Sequence, residues 1–262
     1  EIINKLFSER NNEGNESNQG NQAPLIDVLQ KDTLSHLSVQ RTPSTKGYAY
    51  LKVAEGCSNR CSYCAIPGIR GNFISRPMEN ILQEAKNLAE KGIYEILLIA
   101  QDTTGYGKDL YGKPMLARLI REISWNDKIR KIRLLYCYAD GIDDELINEI
   151  ANNDKVAKYI EMPIQHADNN VLSRMNRRDT AQSIEKVIKK LRKQIPGITI
   201  RTTVLVGFPG ETVEEFNNLV GFIKKVKFDL LGCFVFSPEE GTPSYKMKPK
   251  VPKSVAKNRH ND

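Results

Sequence analysis

The stretch Tyr48-Ala-Tyr-Leu-Lys-Val53-Ala-Glu-Gly56-Cys57-Ser-Asn-Arg-Cys61-Ser-Tyr63-Cys64 decides how this chain is read. Residues Tyr48 to Val53 form a short apolar and aromatic run of strand type. Directly behind it stand Cys57, Cys61 and Cys64 at C-x3-C-x2-C spacing. Thiolates are the soft ligands that zinc and iron–sulfur clusters take. A four-iron cluster has one ligand per iron, so three cysteines leave one iron open to bind something else.

A structural zinc site is the competing reading. It normally closes with four ligands, often as paired C-x2-C or as Cys with His. No second C-x2-C follows, Cys137 and Cys233 stand alone inside apolar runs, and His36 lies in a polar segment. A disulfide framework fits less well still, because five cysteines are few for 262 residues. A thiolate cluster of this kind implies a reducing compartment, the cytoplasm.

The length allows one sizeable domain or two small ones, and a hydrophobic fraction of 40% supplies a core. No apolar run approaches the length needed to cross a membrane. The net charge of +7 is compatible with a nucleic-acid or ribosomal partner. Lysines such as Lys186, Lys189, Lys190 and Lys193 fit a solvated helix face equally well. Both ends read as cut, with Glu1 to Phe7 as the tail of an amphipathic helix. Residues 1–46 are expected as a linker from a missing N-terminal domain. Within them Ser8 to Gln22, nearly all Asn, Glu, Gly, Ser and Gln, is too polar to offset its ordering entropy and is expected to be disordered. Residues 243–262 are expected as a linker towards a missing C-terminal domain, with Val251 to Asp262 read as a linker or a helix start.

Between them, residues 47–242 alternate strand and helix patterns. Strands are predicted at Tyr48 to Val53, Ile96 to Ala100, Ile132 to Cys137, Tyr159 to Ile164, Ile198 to Val206 and Leu230 to Phe236. Helices are predicted after Pro77, over Met115 to Ile123, Asp144 to Ala151 and Thr180 to Gln194, and from the capping box Thr212-Val-Glu-Glu215. Strands buried on both faces and alternating with helices argue for parallel β/α units. Right-handed crossovers then curl six units into an α/β fold, a partial TIM-type (β/α)6 barrel. In such barrels chemistry collects at the C-terminal strand ends, and the cysteine loop falls on that face.

Each further strand ends in a polar or glycine-rich segment, so these are candidate cofactor contacts: Gln101 and Asp102, Gln165 and His166, Gly207 and Gly210. The glycines permit close backbone approach to adenine or ribose, or form simple βα turns. His166 has two readings, a hydrogen bond to cofactor or substrate, or a local cap. Arg70 and Arg76 meet an anionic group or remain solvated. Cys137 and Cys233 read as small buried hydrophobes, and Trp125 as a helix–loop gap filler.

The cysteine loop is similar to that of radical S-adenosylmethionine enzymes. Together with Cys64-Ala-Ile-Pro, Ile69-Arg-Gly71, Ser75-Arg-Pro77, Val206-Gly-Phe-Pro-Gly-Glu-Thr212 and Phe236-Ser-Pro-Glu-Glu-Gly-Thr242, it resembles the radical methylthiotransferase family over roughly Gly47 to Lys257. The resemblance implies a 4Fe-4S cluster on Cys57, Cys61 and Cys64, whose open iron chelates S-adenosyl-L-methionine, with Tyr63 packed near the adenine. It implies reductive cleavage to a 5′-deoxyadenosyl radical, and a methyl group carried to sulfur at a second, auxiliary 4Fe-4S cluster in the missing N-terminal domain. A reductant such as flavodoxin or ferredoxin is implied as partner. Ile99-Ala-Gln-Asp-Thr-Thr104, Ile132-Arg-Leu-Leu-Tyr136 and Met175-Asn-Arg-Arg178 resemble the branch that modifies the β-carbon of an aspartate in a small-subunit ribosomal protein, rather than the branch that modifies adenosine in tRNA. The family's three further N-terminal cysteines and its C-terminal β-barrel are not found here. The chain alone is therefore expected to cleave cofactor without completing methylthiolation.

Overall fold

The computed structural model describes residues 45–262. The expectations made for residues 1–44, including the disorder of 8–22, fall outside the described residues. The chain starts with strand β1 (Tyr48–Lys52), a two-residue strand β2 (Ala54–Glu55), a short helix α1 (Ile66–Arg70) and a two-residue strand β3 (Ile74–Ser75). There follow α2 (Met78–Glu90), β4 (Glu95–Ile99), α3 (Leu116–Ser124), β5 (Lys131–Leu134), α4 (Asp144–Asn152) and β6 (Val156–Glu161). The remainder comprises α5 (Asn169–Arg174), α6 (Ala181–Gln194), β7 (Thr199–Val206), α7 (Val213–Val226), β8 (Leu230–Val235) and α8 (Lys253–Asn261).

The six long strands form one parallel sheet in the order β1-β4-β5-β6-β7-β8, so each β/α unit lies beside the one before it. This is the wind of a six-unit partial barrel, with β1 and β8 as its two edges. The sequence period explains the layers. In α2, Ile81, Ala85, Leu88 and Ala89 recur at helical spacing and are buried. In β4, Ile96 and Leu98 are fully buried while Leu97 and Ile99 are half-buried, so the apolar run alternates after all. Each fully buried Leu or Ile stabilises the fold by roughly 1.5–3 kcal/mol. The predicted capping box at Thr212 is present: its hydroxyl accepts the Glu215 N–H, and Glu215 accepts the Thr212 N–H.

Three expectations need correction. Strand β6 begins and ends three residues earlier than predicted. Met162 and Ile164 are buried but lie beyond the ladder, and Pro163 between them has no N–H to donate. Trp125 fills no gap; it is 68% exposed at the end of α3. Cys233 is only half-buried, because β8 is an edge that also leaves Leu230, Leu231, Phe234 and Val235 exposed. Near the end of the chain, where a helix start is one of the two readings, Lys253–Asn261 form α8. The Ser244 N–H donates to Ser62 O (2.8 Å), and Ala256 and Arg259 of α8 are buried against the domain. Among the described residues no helix is long and apolar enough to cross a membrane.

Candidate functional site

The cysteine loop is built as a closed flap at the C-terminal end of β1. Strands β2 and β3 pair antiparallel, Ala54 with Ser75 and Glu55 with Ile74, and pinch the loop's base. Gly56 has φ +69°, and a Cβ there would lie 2.1 Å from Asn72 O, so no side chain is possible at that neck. Cys57 N–H donates to Gly71 O (3.2 Å), and Arg60 Nη2 to Asn72 Oδ1 (2.6 Å).

The segments behind β4, β5 and β6 then hold the flap. Behind β4, Asp102 accepts Asn59 Nδ2 (2.8 Å), Thr104 Oγ1 (2.7 Å) and Gly105 N–H (3.1 Å). Asn59 Nδ2 also lies 3.5 Å from Cys57 Sγ. Behind β5, the Tyr138 hydroxyl lies 3.3 Å from Cys61 Sγ. Around α5, Ser62 N–H donates to Met175 O (2.9 Å) and Ser62 Oγ to Arg174 O (2.8 Å). Asn176 Nδ2 donates to Arg60 O (2.8 Å), and Arg178 Nη2 to Asn59 Oδ1 (2.8 Å). Arg60, Tyr136, Gln165 and Asn176, at this end of the sheet, are non-glycine residues with φ between +54° and +66°. Such conformations cost on the order of 1 kcal/mol or more each and gather at functional sites.

Cys57 and Cys64 line a cavity of about 430 Å³ together with Lys52, Ile66, Ile99, Ala100, Gln101, Tyr136 and Tyr138. That volume suits a cofactor-sized ligand. Gln101 Oε1 is buried in this wall without a hydrogen-bond partner. Burial pushes the Cys57 and Cys64 thiols above their ordinary range, so ligation has to displace their protons. Beside them Arg177 is buried. Desolvation works against its charge, and the buried Asp179 carboxylate beside it offsets that cost. Arg177 donates to Asp179 (2.7 Å) and Pro163 O (3.3 Å) and lies over the Tyr138 ring, 4.6 Å from its centre.

The donor set fits an iron–sulfur cluster better than one ion. Among the described residues no three His, Cys, Asp or Glu side chains converge closely enough to hold a single metal. Three soft thiols beside an apolar cavity offer one ligand to each of three irons.

The other candidates are placed unevenly. Gln101 lines the cavity; Asp102 instead supports the loop through Asn59. Tyr63 is half-buried and packs on Val171, Met175 and Phe208. The backbone of Gln165 pairs with β7: its N–H donates to Thr203 O, and its carbonyl accepts Leu205 N–H. His166 is fully buried and its Nδ1 accepts the Asp168 N–H (2.9 Å), a local cap. Its Nε2 lies 3.9 Å from Glu211 Oε2, too far to offset lost water, and burial pulls its pKa down to about 4. The imidazole is therefore neutral, not half of an ion pair. Gly207 N–H donates to Glu211 Oε2 (2.7 Å) and Gly210 N–H to Pro249 O (2.8 Å), so both amides are used internally. A Cβ on Gly207 would lie 2.5 Å from Ala256 Cβ; this glycine admits α8. Arg76 is buried on Lys52 O and Glu84, while Arg70 is exposed 3.9 Å from Glu55.

Sequence reading placed Tyr138 in a strand-end segment expected to line the site but passed over Asn59, Tyr136 and Arg177 as site residues. Tyr136 and Tyr138 follow an apolar strand, which marks the right end of the sheet, but nothing in their type marks contact with the cysteines.

A strand-end flap of three cysteines over a cofactor-sized cavity, on an open six-stranded parallel sheet, defines a class. Residues 51–223 match the family model of the radical SAM (S-adenosylmethionine) superfamily, and the chain belongs to that superfamily. It is 51% identical over 264 aligned residues to the ribosomal protein uS12 methylthiotransferase RimO of Acetivibrio thermocellus, covering 100% of this chain and 56% of that protein. It is 55% identical to the RimO of Caldanaerobacter subterraneus subsp. tengcongensis, covering 86% of this chain and 51% of that protein. The chain thus spans about half the length of these relatives. Among solved structures the fold is similar to the radical S-adenosylmethionine methyltransferase TsrM from Kitasatospora setae, with TM-score 0.64, 19% identity, and 78% of this chain and 42% of that one covered. Coproporphyrinogen III oxidase (HemN) from Escherichia coli gives TM-score 0.62 at 14% identity, covering 86% of this chain and 52% of that one.

Proposed function

We propose that this chain is the radical domain of a methylthiotransferase that modifies the β-carbon of an aspartate in the small-subunit ribosomal protein uS12. The observation that carries the reading is 51% identity over the whole chain to a protein of that name. Cys57, Cys61 and Cys64 would hold a 4Fe-4S cluster, and the cavity that Cys57 and Cys64 line would take S-adenosyl-L-methionine. When bound, the pair supplies one-electron reductive cleavage and hydrogen abstraction.

The chain's own residues prepare that chemistry. Ile66, Ile99 and Ala100 give the cavity apolar walls that exclude water. Gln101, with its unpartnered carbonyl, offers an acceptor to a donor on the cofactor. Lys52 and Tyr136 border the same space at the ends of β1 and β5. Asp102 holds Asn59, and Asn59 holds the cysteine flap in register with the cavity. A second, auxiliary cluster, carried by a part of the protein outside this sequence, would supply the methylthio group. A low-potential reductant such as flavodoxin or ferredoxin, and a cytoplasmic location on the ribosome, complete the reading.

The test is anaerobic reconstitution with iron and sulfide, then an assay for 5′-deoxyadenosine with dithionite and S-adenosyl-L-methionine, comparing the wild type with Cys61→Ala. A brown protein that releases 5′-deoxyadenosine, with both properties lost in the variant, supports the reading. Colourless protein that holds zinc overturns it. Disruption of the gene followed by mass spectrometry of uS12 and of tRNA nucleosides separates the targets. Loss of a methylthio-adenosine, with uS12 unchanged, assigns the tRNA instead.

A further inference from the structure

The two most buried cysteines of the flap do not have equivalent partners. Cys57 Sγ meets an amide, Asn59 Nδ2, at 3.5 Å; Cys61 Sγ meets the Tyr138 hydroxyl at 3.3 Å. Either group of the second pair can donate while the thiol keeps its proton. A metal-bound thiolate has none, so the phenol must then be the donor. Tyr138 is held for that task. Its N–H donates to Thr104 Oγ1 (3.1 Å), and that hydroxyl donates to Asp102, the carboxylate that also anchors Asn59. Tyr138 is half-buried behind β5. The buried Arg177 guanidinium lies over its ring, 4.6 Å from the centre. A cation on the ring face is attracted by its π-electrons and draws density from the oxygen, which makes the hydroxyl a stronger donor.

We propose that Tyr138 is a positioning residue that sets the reduction potential of a cluster held by Cys57, Cys61 and Cys64, by donating a hydrogen bond to the Cys61 sulfur. This rests on the cluster assignment above. Reduction adds one electron from an external donor to the cluster and places extra negative charge on its sulfurs. A hydrogen bond to sulfur stabilises that reduced state more than the oxidised one, and so raises the potential. Loss of the hydroxyl moves the couple to a more negative potential, making the reduced state harder to populate.

The test uses the full chain reconstituted with iron and sulfide, as wild type and Tyr138→Phe at matched iron content. A dithionite titration is followed by the electron paramagnetic resonance signal of the reduced cluster. The expected shift is about tenfold in the reduction equilibrium, which is 59 mV more negative for a one-electron couple. Resonance Raman gives a second readout: transfer to heavy water shifts an iron–sulfur stretching band in the wild type, and Tyr138→Phe loses that share of the shift. Equal potentials, a positive shift, or the same heavy-water response in both proteins overturn the inference. Should Tyr138→Phe fail to fold, 3-fluorotyrosine at position 138 keeps the shape and strengthens the donor. Its potential must then rise, and an unchanged value overturns the inference. A wild type that takes up no iron–sulfur cluster overturns the functional reading itself, which is a different result from a cluster whose potential ignores Tyr138.

Discussion

Replacing His166 by Asn should flatten the acid limb of this protein's stability. The imidazole is fully buried, and its Nδ1 accepts the Asp168 N–H at 2.9 Å. An Asn oxygen can take over that acceptor role but does not titrate. Burial lowers the His166 pKa from 6.5 to about 4. The folded state therefore binds the proton less readily than the unfolded chain. The stability held by the neutral ring is present in full above the unfolded value of 6.5 and is lost as the pH falls towards about 4. At about 1.4 kcal/mol per unit of difference, the loss reaches about 2 kcal/mol near pH 5 and about 3 kcal/mol near pH 4. Urea unfolding of wild type and His166→Asn at steps from pH 7.5 to 4 measures the difference directly, since other groups titrate in both. The wild-type curve should fall towards the variant's by about 3 kcal/mol over that window. Parallel curves would show that His166 is protonated or solvent-accessible in the folded state, and the burial argument would fail.

Three further outcomes follow from single contacts. Asp102→Ala removes the anchor of Asn59, and iron retention under chelator competition should fall about 10–100-fold while circular dichroism is unchanged; undiminished retention would show that the flap holds itself. Gly207→Ala combines a left-handed dihedral with a Cβ 2.5 Å from Ala256, and should cost about 2–4 kcal/mol in urea unfolding. In a double-mutant cycle with Ala256→Gly, a coupling of about 1–3 kcal/mol should appear; additivity would refute the clash. Trp125→Ala should change stability by less than about 0.5 kcal/mol, because the indole is 68% exposed; a loss of several kcal/mol would restore its reading as a packed residue.

Local signals in the chain carried the order of the elements. Periodicity located all six long strands, and β4 and β7 fell within a residue of their predicted limits. The miss at β6 shows the limit of that signal: apolar character reports burial, and Met162 and Ile164 are buried without belonging to the ladder. The segment after residue 242 has few apolar residues, so nothing in its composition announced that α8 would pack on β7 and β8. At the site, cysteine spacing alone singled out Cys57, Cys61 and Cys64 as candidates. Gln101 was chosen because it follows a strand, and it lines the cavity. Gly207 was chosen by the same rule, yet its missing side chain makes room for Ala256 and its amide is taken by Glu211.

What the sequence determined by itself is whatever is written within a few residues: strand and helix periods, the capping box at Thr212, and three thiols spaced for one cluster. Tertiary structure alone decided which side chains surround those thiols. Asn59 finds Asp102 43 residues away, Cys61 finds Tyr138 77 residues away, and Asn176 reaches Arg60 across 116. Such partners leave no local pattern, because a hydrogen bond across a sheet depends on which strand ends the fold places side by side. The flap, the cavity and the hydroxyl at Cys61 exist only once six strand ends stand together on one face.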